Sequence, residues 1–230
     1  MFLRRGFGHV EAVITLVIFI AFIVFAFTFF SPFRASRTLT STLDYSWREV
    51  EDFTSNKVDY YSVVLSSISP ASVSLLIPGI ELNASVIDSS GNSIPSYNDQ
   101  FGVNFAKPTD NFVVIRYSKH FRKGSSIIGV PLTANDYSIS SSDTKSVSFE
   151  SLFLKLNDTY YSNYTGLKKQ FNLPNRVQFG FSVFFSDGSK IESYQNIPSG
   201  VEVISKNDRV LIIRNSTLKE EYAEVNVQVW

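Results

Sequence analysis

At 230 residues the chain has room for one sizeable domain, or for one domain and an anchor. Lys+Arg and Asp+Glu balance at 21 each, so no global charge draws it to nucleic acid or to an anionic membrane surface. There are no cysteines, which excludes disulfides, thiol catalysis and thiolate metal sites and leaves packing alone to hold the fold.

The first eleven residues read Met1-Phe2-Leu3-Arg4-Arg5-Gly6-Phe7-Gly8-His9-Val10-Glu11, a short basic segment ending at Gly6. From Ala12 to Phe30 every residue is apolar except Thr15 and Thr28. At about 1.5 Å per residue the run spans roughly 28 Å, close to the ~30 Å hydrocarbon core of a bilayer. A soluble core helix would show a polar face, and this stretch has none. A cleaved secretory signal has a shorter apolar region and a small-x-small cleavage site. Ser31-Pro32-Phe33-Arg34 does not supply that site, so a transmembrane helix is the preferred reading. Arg4 and Arg5 lie on one side of it and Arg34 and Arg37 on the other. The long C-terminal part favours an N-terminus-in orientation, with that part outside the cytoplasm.

The basic leader, Gly6, Phe7 and Glu11 (the fifth residue counted from Phe7), followed by the apolar run, resemble the prepilin-type (type III) signal sequence of type IV pilins, pseudopilins and related archaeal surface subunits. The resemblance covers roughly residues 1–30. It implies cleavage after Gly6 by a membrane prepilin peptidase, with residues 1–6 as leader. It also implies retention of the helix in membrane lipid and assembly with other pilin-like subunits into a cell-surface filament or a secretion pseudopilus. Gly8-His9-Val10 departs from the Thr-Leu-Ile common in bacterial members, and the missing cysteines depart from their C-terminal disulfide loop. Both departures lean toward an archaeal-type or minor pilin-like protein.

The chemistry of that arrangement can be stated on its own. Gly6 has no side chain, so an extended backbone can enter a narrow peptidase cleft there. A carboxylate at a membrane helix centre costs about 2.5–3.5 kcal/mol on insertion scales, and less near the interface where Glu11 is expected. Cleavage after Gly6 would place a new α-amino group on Phe7, one helical turn from Glu11 of the same chain or close to Glu11 of a staggered neighbour. The ion pair would neutralise two charges that neither subunit can bury alone. The plainer account of Glu11 is an interfacial acid tolerated at a helix N-terminus.

Pro32 is expected to kink or interrupt the helix. Beyond it Leu39, Leu43, Trp47, Val50 and Phe53 recur at helical spacing, with Asp44 and Arg48 as an i,i+4 pair, giving an amphipathic helix to about Asn56. Its apolar stripe is expected to pack on the protein's own β domain, with sister helices in a filament as the sharper alternative.

From Val58 the period becomes that of strands. Tyr60–Leu65, Val73–Ile77 and Glu81–Asp88 read as strands, with a turn at Ser90-Gly91-Asn92. From Phe112, the residues Val113, Ile115, Tyr117 and Phe121 alternate with Arg116, Ser118, His120 and Arg122, which reads as a strand with one solvated face. Lys145–Leu156 reads as extended. Tyr160, Tyr164, Leu167 and Phe171 fall at helical spacing, so Asp158–Phe171 reads as one inserted helix capped by Asp158 and stopped by Pro174. Asp187-Gly188 and Asn207-Asp208 are read as hairpin turns. The last strand alternates Ala223, Val225, Val227 and Val229 with Glu224, Asn226 and Gln228.

The expected fold is therefore α+β. A membrane-spanning helix continues as an amphipathic one over residues 7–56, and an antiparallel, sandwich-like extracytoplasmic domain with one inserted helix covers 57–230. One lobe or two, divided near residue 145, both fit.

With only His9 and His120, a histidine triad or multi-histidine metal site is excluded in practice, and no phosphate loop, nucleophile elbow or zinc motif occurs. No enzyme activity, catalytic residue, cofactor or metal is expected. The basic strip Arg116, Lys119, His120, Arg122 and Lys123, interleaved with Tyr117 and Phe121, reads first as a solvated edge and only second as a polyanion contact. No specific nucleic-acid binding is expected. Sequons at Asn83, Asn157, Asn163 and Asn215 permit glycosylation without predicting it. The expected function is a pilin-like structural subunit, with a monomeric single-pass protein using its β domain for adhesion or ligand binding as the alternative.

Overall fold

A computed structural model of the chain describes residues 5–29, 33–67, 70–78, 80, 83–100, 102–122, 124 and 126–230. Two helices come first, α1 (Arg5–Phe29) and α2 (Phe33–Thr54). Nine strands follow: β1 (Ser55–Leu65), β2 (Ser72–Leu75), β3 (Ala84–Asp88), β4 (Ser93–Ile94), β5 (Ser96–Asp99), β6 (Gly102–Ala106), β7 (Phe112–Tyr117), β8 (Val130–Pro131) and β9 (Tyr137–Phe149). Helices α3 (Glu150–Ser162) and α4 (Tyr164–Gln170) lead to β10 (Phe179–Phe184), β11 (Lys190–Ser193), β12 (Ile204–Ile213) and β13 (Glu220–Val229). The architecture is α+β. Pro32, expected to interrupt the first helix, lies outside the described residues, as do Lys123 and the first two residues of the expected Glu81–Asp88 strand.

The strands form a nine-stranded sheet, β11-β10-β13-β12-β9-β1-β7-β3-β4, and a four-stranded sheet, β5-β6-β2-β8. Most ladders are antiparallel, but β12 with β9 and β2 with β8 are parallel, so the sheets are mixed. The β9–β12 ladder joins only Ser148 to Ile212 and Phe149 to Ile213. Apolar packing follows that narrow join. On one side α2, α3 and α4 cover a face of β10–β13, burying Trp47, Tyr160, Phe179 and the predicted Ala223/Val225/Val227/Val229 row. On the other, the small sheet packs on β1, β3 and β7 around Val63, Leu75, Phe105 and Ile115. A third cluster, Val58, Phe121, Val147, Phe149, Leu152 and Ile213, sits at the join. Residue 145, the expected dividing point, lies inside β9.

Helix α2 ends at Thr54, and β1 begins at the next residue. Leu43, Trp47 and Val50 are buried against the protein's own β10–β13 face, and Phe53 is half-buried there. Polar residues on the covered side are satisfied locally, since Ser46 Oγ donates to the Thr42 carbonyl and Thr54 Oγ1 to that of Val50.

Three expectations are corrected. The segment from Glu150 to Leu156 is helical, not extended, and the inserted unit is two helices whose first begins eight residues ahead of Asp158. Its apolar residues satisfy either period, and burial of Phe153, Leu156 and Tyr160 on one face decides for the helix. Asn163, not Asp158, caps a helix, accepting the Gly166 N–H through its side chain at the start of α4. Asn207-Asp208 is no hairpin turn but the middle of β12, where Asn207 faces Asn226 across the ladder to β13. The Asp187-Gly188 hairpin forms between β10 and β11, with Gly188 in the left-handed region at φ +82°.

Candidate functional site

Two parts of the molecule bear on function: the start of α1, and the charged groups at the join between the sheet halves.

The window Val10–Phe27 of α1 is long and apolar enough to cross a membrane, and none of it is buried by the rest of the chain. An apolar helix that the protein's own domain leaves uncovered fits a membrane anchor or a signal sequence. Gly6 and Phe7 stand in the first turn of this helix and Glu11 about one turn further on. The structure thus brings the three expected residues onto one helix end. Glu11 is exposed, and its backbone carbonyl accepts a hydrogen bond from Thr15 Oγ1 at 2.8 Å. Thr15, one of two polar residues in the run, is thereby satisfied within the helix itself.

At the join, Arg116 projects from β7 and is fully buried. Its Nη1 lies 3.0 Å from Glu220 Oε1, while Nη2 donates to Ser85 Oγ at 2.8 Å and to the Leu218 carbonyl at 2.6 Å. Tyr60 donates to the same Glu220 oxygen at 2.7 Å. Burial first, then that hydrogen bond, pushes the Tyr60 phenol well above its usual range. The guanidinium also faces the Phe121 ring, 5.4 Å from its centroid. The expected solvated face of this strand is therefore covered: Arg116 and Ser118 are both buried, and Leu218, Glu220 and Phe121 close over the Arg116 guanidinium. A second arginine, Arg214, reaches Glu221 at 2.7 Å, Asp187 at 3.1 Å and Glu150 at 3.3 Å, and lies 4.0 Å above the Phe185 ring. It ties the start of α3 and the β10–β11 hairpin to β13.

The basic strip does not persist as a unit. Arg116, Tyr117 and Phe121 are buried, whereas Lys119 and Arg122 are exposed. His120 lies with Nε2 3.1 Å from Asn56 Nδ2. Its pKa is lowered by burial and then by Lys119 and Lys155. Of the sequons, Asn163 is exposed but engaged as a helix cap, and Asn157 accepts from Ser193 Oγ at 2.7 Å. Among the described residues no group of three or more His, Cys, Asp or Glu side chains is placed to hold a metal ion.

Neither arginine node is legible in the sequence: the local signal is a charged residue inside an apolar strand at Arg116, and its acid partner is 104 positions away. No protein-family model matches this chain, and no curated protein or solved structure matches it either.

Proposed function

We propose that this chain is a pilin-like structural subunit. It is held in the membrane by α1, with α2 and the β-rich domain of residues 57–230 on the extracytoplasmic side, and is cut after Gly6 by a prepilin peptidase. It then assembles through α1 with other pilin-like subunits into a surface filament or pseudopilus. The observation that carries this reading is the uncovered apolar helix α1, with Gly6-Phe7 and Glu11 at its start. In the membrane, lipid covers that helix. In a filament, sister helices replace lipid, and Glu11 pairs with the Phe7 amine exposed by cleavage. Because Gly6 lies within the first helical turn, the helix end unwinds to present it to the peptidase.

N-terminal mass analysis of the native membrane protein tests the reading. Mature protein should begin at Phe7. Gly6→Leu should retain the leader. Glu11→Ala should insert and be cut but yield no filaments in sheared surface material viewed by electron microscopy. Native protein that keeps Met1 or Phe2 at its N-terminus sinks the proposal.

A further inference from the structure

Each strand that ends a sheet is short. β4 and β11 close the nine-stranded sheet with two and four residues, and β5 and β8 close the four-stranded one with four and two, β8 ending in Pro131. Short edges and proline are how sheets avoid pairing with other chains. Strand β9 is built otherwise. It runs for 13 residues without proline or glycine, and Ser138 to Ser146 are all exposed. On one side it pairs with β1 from Tyr137 to Ser148. On the other it meets β12 at Ser148 and Phe149, and ahead of those residues the two strands share no ladder. A fork opens there, with a free strand edge on each side.

Backbone donors point into that fork. The Thr144 N–H donates to Asp143 Oδ1 at 2.8 Å, and the Arg209 N–H to Asp208 Oδ1 at 2.8 Å. A strand N–H held by the neighbouring side chain is one that its ladder leaves unused, so both stand on the free edges. Alternation puts the N–H and C=O groups of Ser142 and Ser146 on the same edge as those of Thr144. Within the fork lies a groove of about 330 Å³, lined by Trp47, Glu51, Ser146, Asp208, Arg209 and Val210. The Arg209 guanidinium is turned to the Tyr222 ring, 5.5 Å from its centroid. Nearby Lys206 and Lys145 pair with Asp44 at 3.2 Å and Asp143 at 3.4 Å, and Lys57 stands in β1, on the far side of β9. Among the described residues neither Glu51 nor Asp208 forms an ion pair. The groove thus holds two carboxylates without a cation.

We propose that this fork is a docking site for an extended, cationic segment of a partner protein, which adds a strand antiparallel to β9 at Ser142, Thr144 and Ser146. A polypeptide backbone supplies donors and acceptors at the spacing of a strand edge, and an added strand takes its affinity from those main-chain bonds. A carbonyl of the incoming strand replaces the Asp143 carboxylate at the Thr144 N–H. Because β9 and β12 run parallel, one strand is antiparallel to both. Its side chains alternate, so on the side of α2 a lysine or arginine meets Glu51 and Asp208, while an apolar residue two positions away lies against Trp47 and Val210. This inference does not depend on processing at Gly6 or assembly through Glu11.

The test uses the full chain in detergent, titrated calorimetrically with a capped nine-residue peptide in which threonine alternates with valine and lysine. It should bind with a Kd tighter than about 1 mM, and the same peptide with glutamate for lysine about tenfold more weakly. Thr144→Pro removes the edge donor without touching a ladder bond, at a position where strands accept proline, and should weaken binding by about tenfold. Of two peptides N-methylated at alternate residues, at least one should lose binding to the parent chain, which keeps the test valid if Thr144→Pro fails to fold. No binding of the lysine peptide, equal binding of the glutamate peptide, or binding of both N-methylated peptides as tight as that of the unmethylated one would overturn the proposal. So would a parent chain that sediments as a dimer and a Thr144→Pro chain that sediments as a monomer, because the edge would then belong to a second copy.

Discussion

Arg116 is buried between Ser85, Leu218 and Glu220, and its acid partner Glu220 keeps 26% of its side chain exposed. Removing one member of such a pair leaves an uncompensated charge in the interior, which typically costs about 3–5 kcal/mol; partial exposure of Glu220 puts this case at the lower end. Glu220→Ala should therefore lower the thermal midpoint markedly. The double variant Arg116→Met with Glu220→Leu, which removes both charges, should recover much of the loss. A double variant no more stable than Glu220→Ala would show that the charge is not the cause. His120 gives a second prediction at this scale. With the Asn56 amide N–H as donor, Nε2 has to accept, so the folded state holds the imidazole neutral. Its folded pKa is lowered, so the unfolded chain binds more protons between that value and about 6.5. Stability from this group is complete above about pH 6.5 and is lost as pH falls through the folded pKa. Unfolding followed from pH 7.5 to 5 should show this slope, and His120→Gln should flatten it.

At the scale of elements, the stripe Leu43, Trp47 and Val50 was legible because helical periodicity and burial coincide there. The last strand was legible for the same reason at period two. Failures occurred where the signal was local and the cause was not. Asn207-Asp208 has turn chemistry, yet β13 offers a continuous ladder on one side, and the pair is carried within it as exposed strand residues. Val147, Phe149, Leu152 and Leu154 fit a strand, but after Phe149 the chain leaves the sheet to lay Phe153 and Leu156 on it as a helix. Arg116 alternated like a solvated residue because alternation reports two faces and not what covers the second. Trp47 tests the self-packing of α2. It is 7% exposed, and Lys206 Nζ lies 5.3 Å from its ring centroid beside an Asp44–Lys206 pair of 3.2 Å. Trp47→Ala should cost about 3–5 kcal/mol in the unassembled protein, read by loss of thermal stability in detergent. If the stripe served only sister helices, the monomer would be unaffected.

For the whole molecule, the question is how two separately packed regions behave as one. The helix-covered half buries its core around Phe179 and Val225, the sandwich half around Val63 and Phe105, and among the described residues two parallel residue pairs form the ladder between them. Such a ladder is too short to enforce cooperativity, so the coupling falls to the third cluster and to the Arg116–Glu220 contact that spans the same join. Phe149 is the centre of that cluster, 2% exposed, with its ring edge-on to Phe121 at 5.6 Å and tilted against His120 at 5.3 Å. Truncation to alanine removes packing from both halves at once and should cost about 3–5 kcal/mol. Its distinguishing effect is on cooperativity. Hydrogen exchange read by mass spectrometry should show β1, β3 and β7 and β10–β13 protected to a common level in the parent chain, and to two separate levels in Phe149→Ala. Val63→Ala, equally buried but inside the sandwich core, serves as the control, because it lowers protection without dividing it at the β9–β12 join. Equal loss of protection in both halves with Phe149→Ala would mean that one core spans the sheet and that the third cluster is only a part of it.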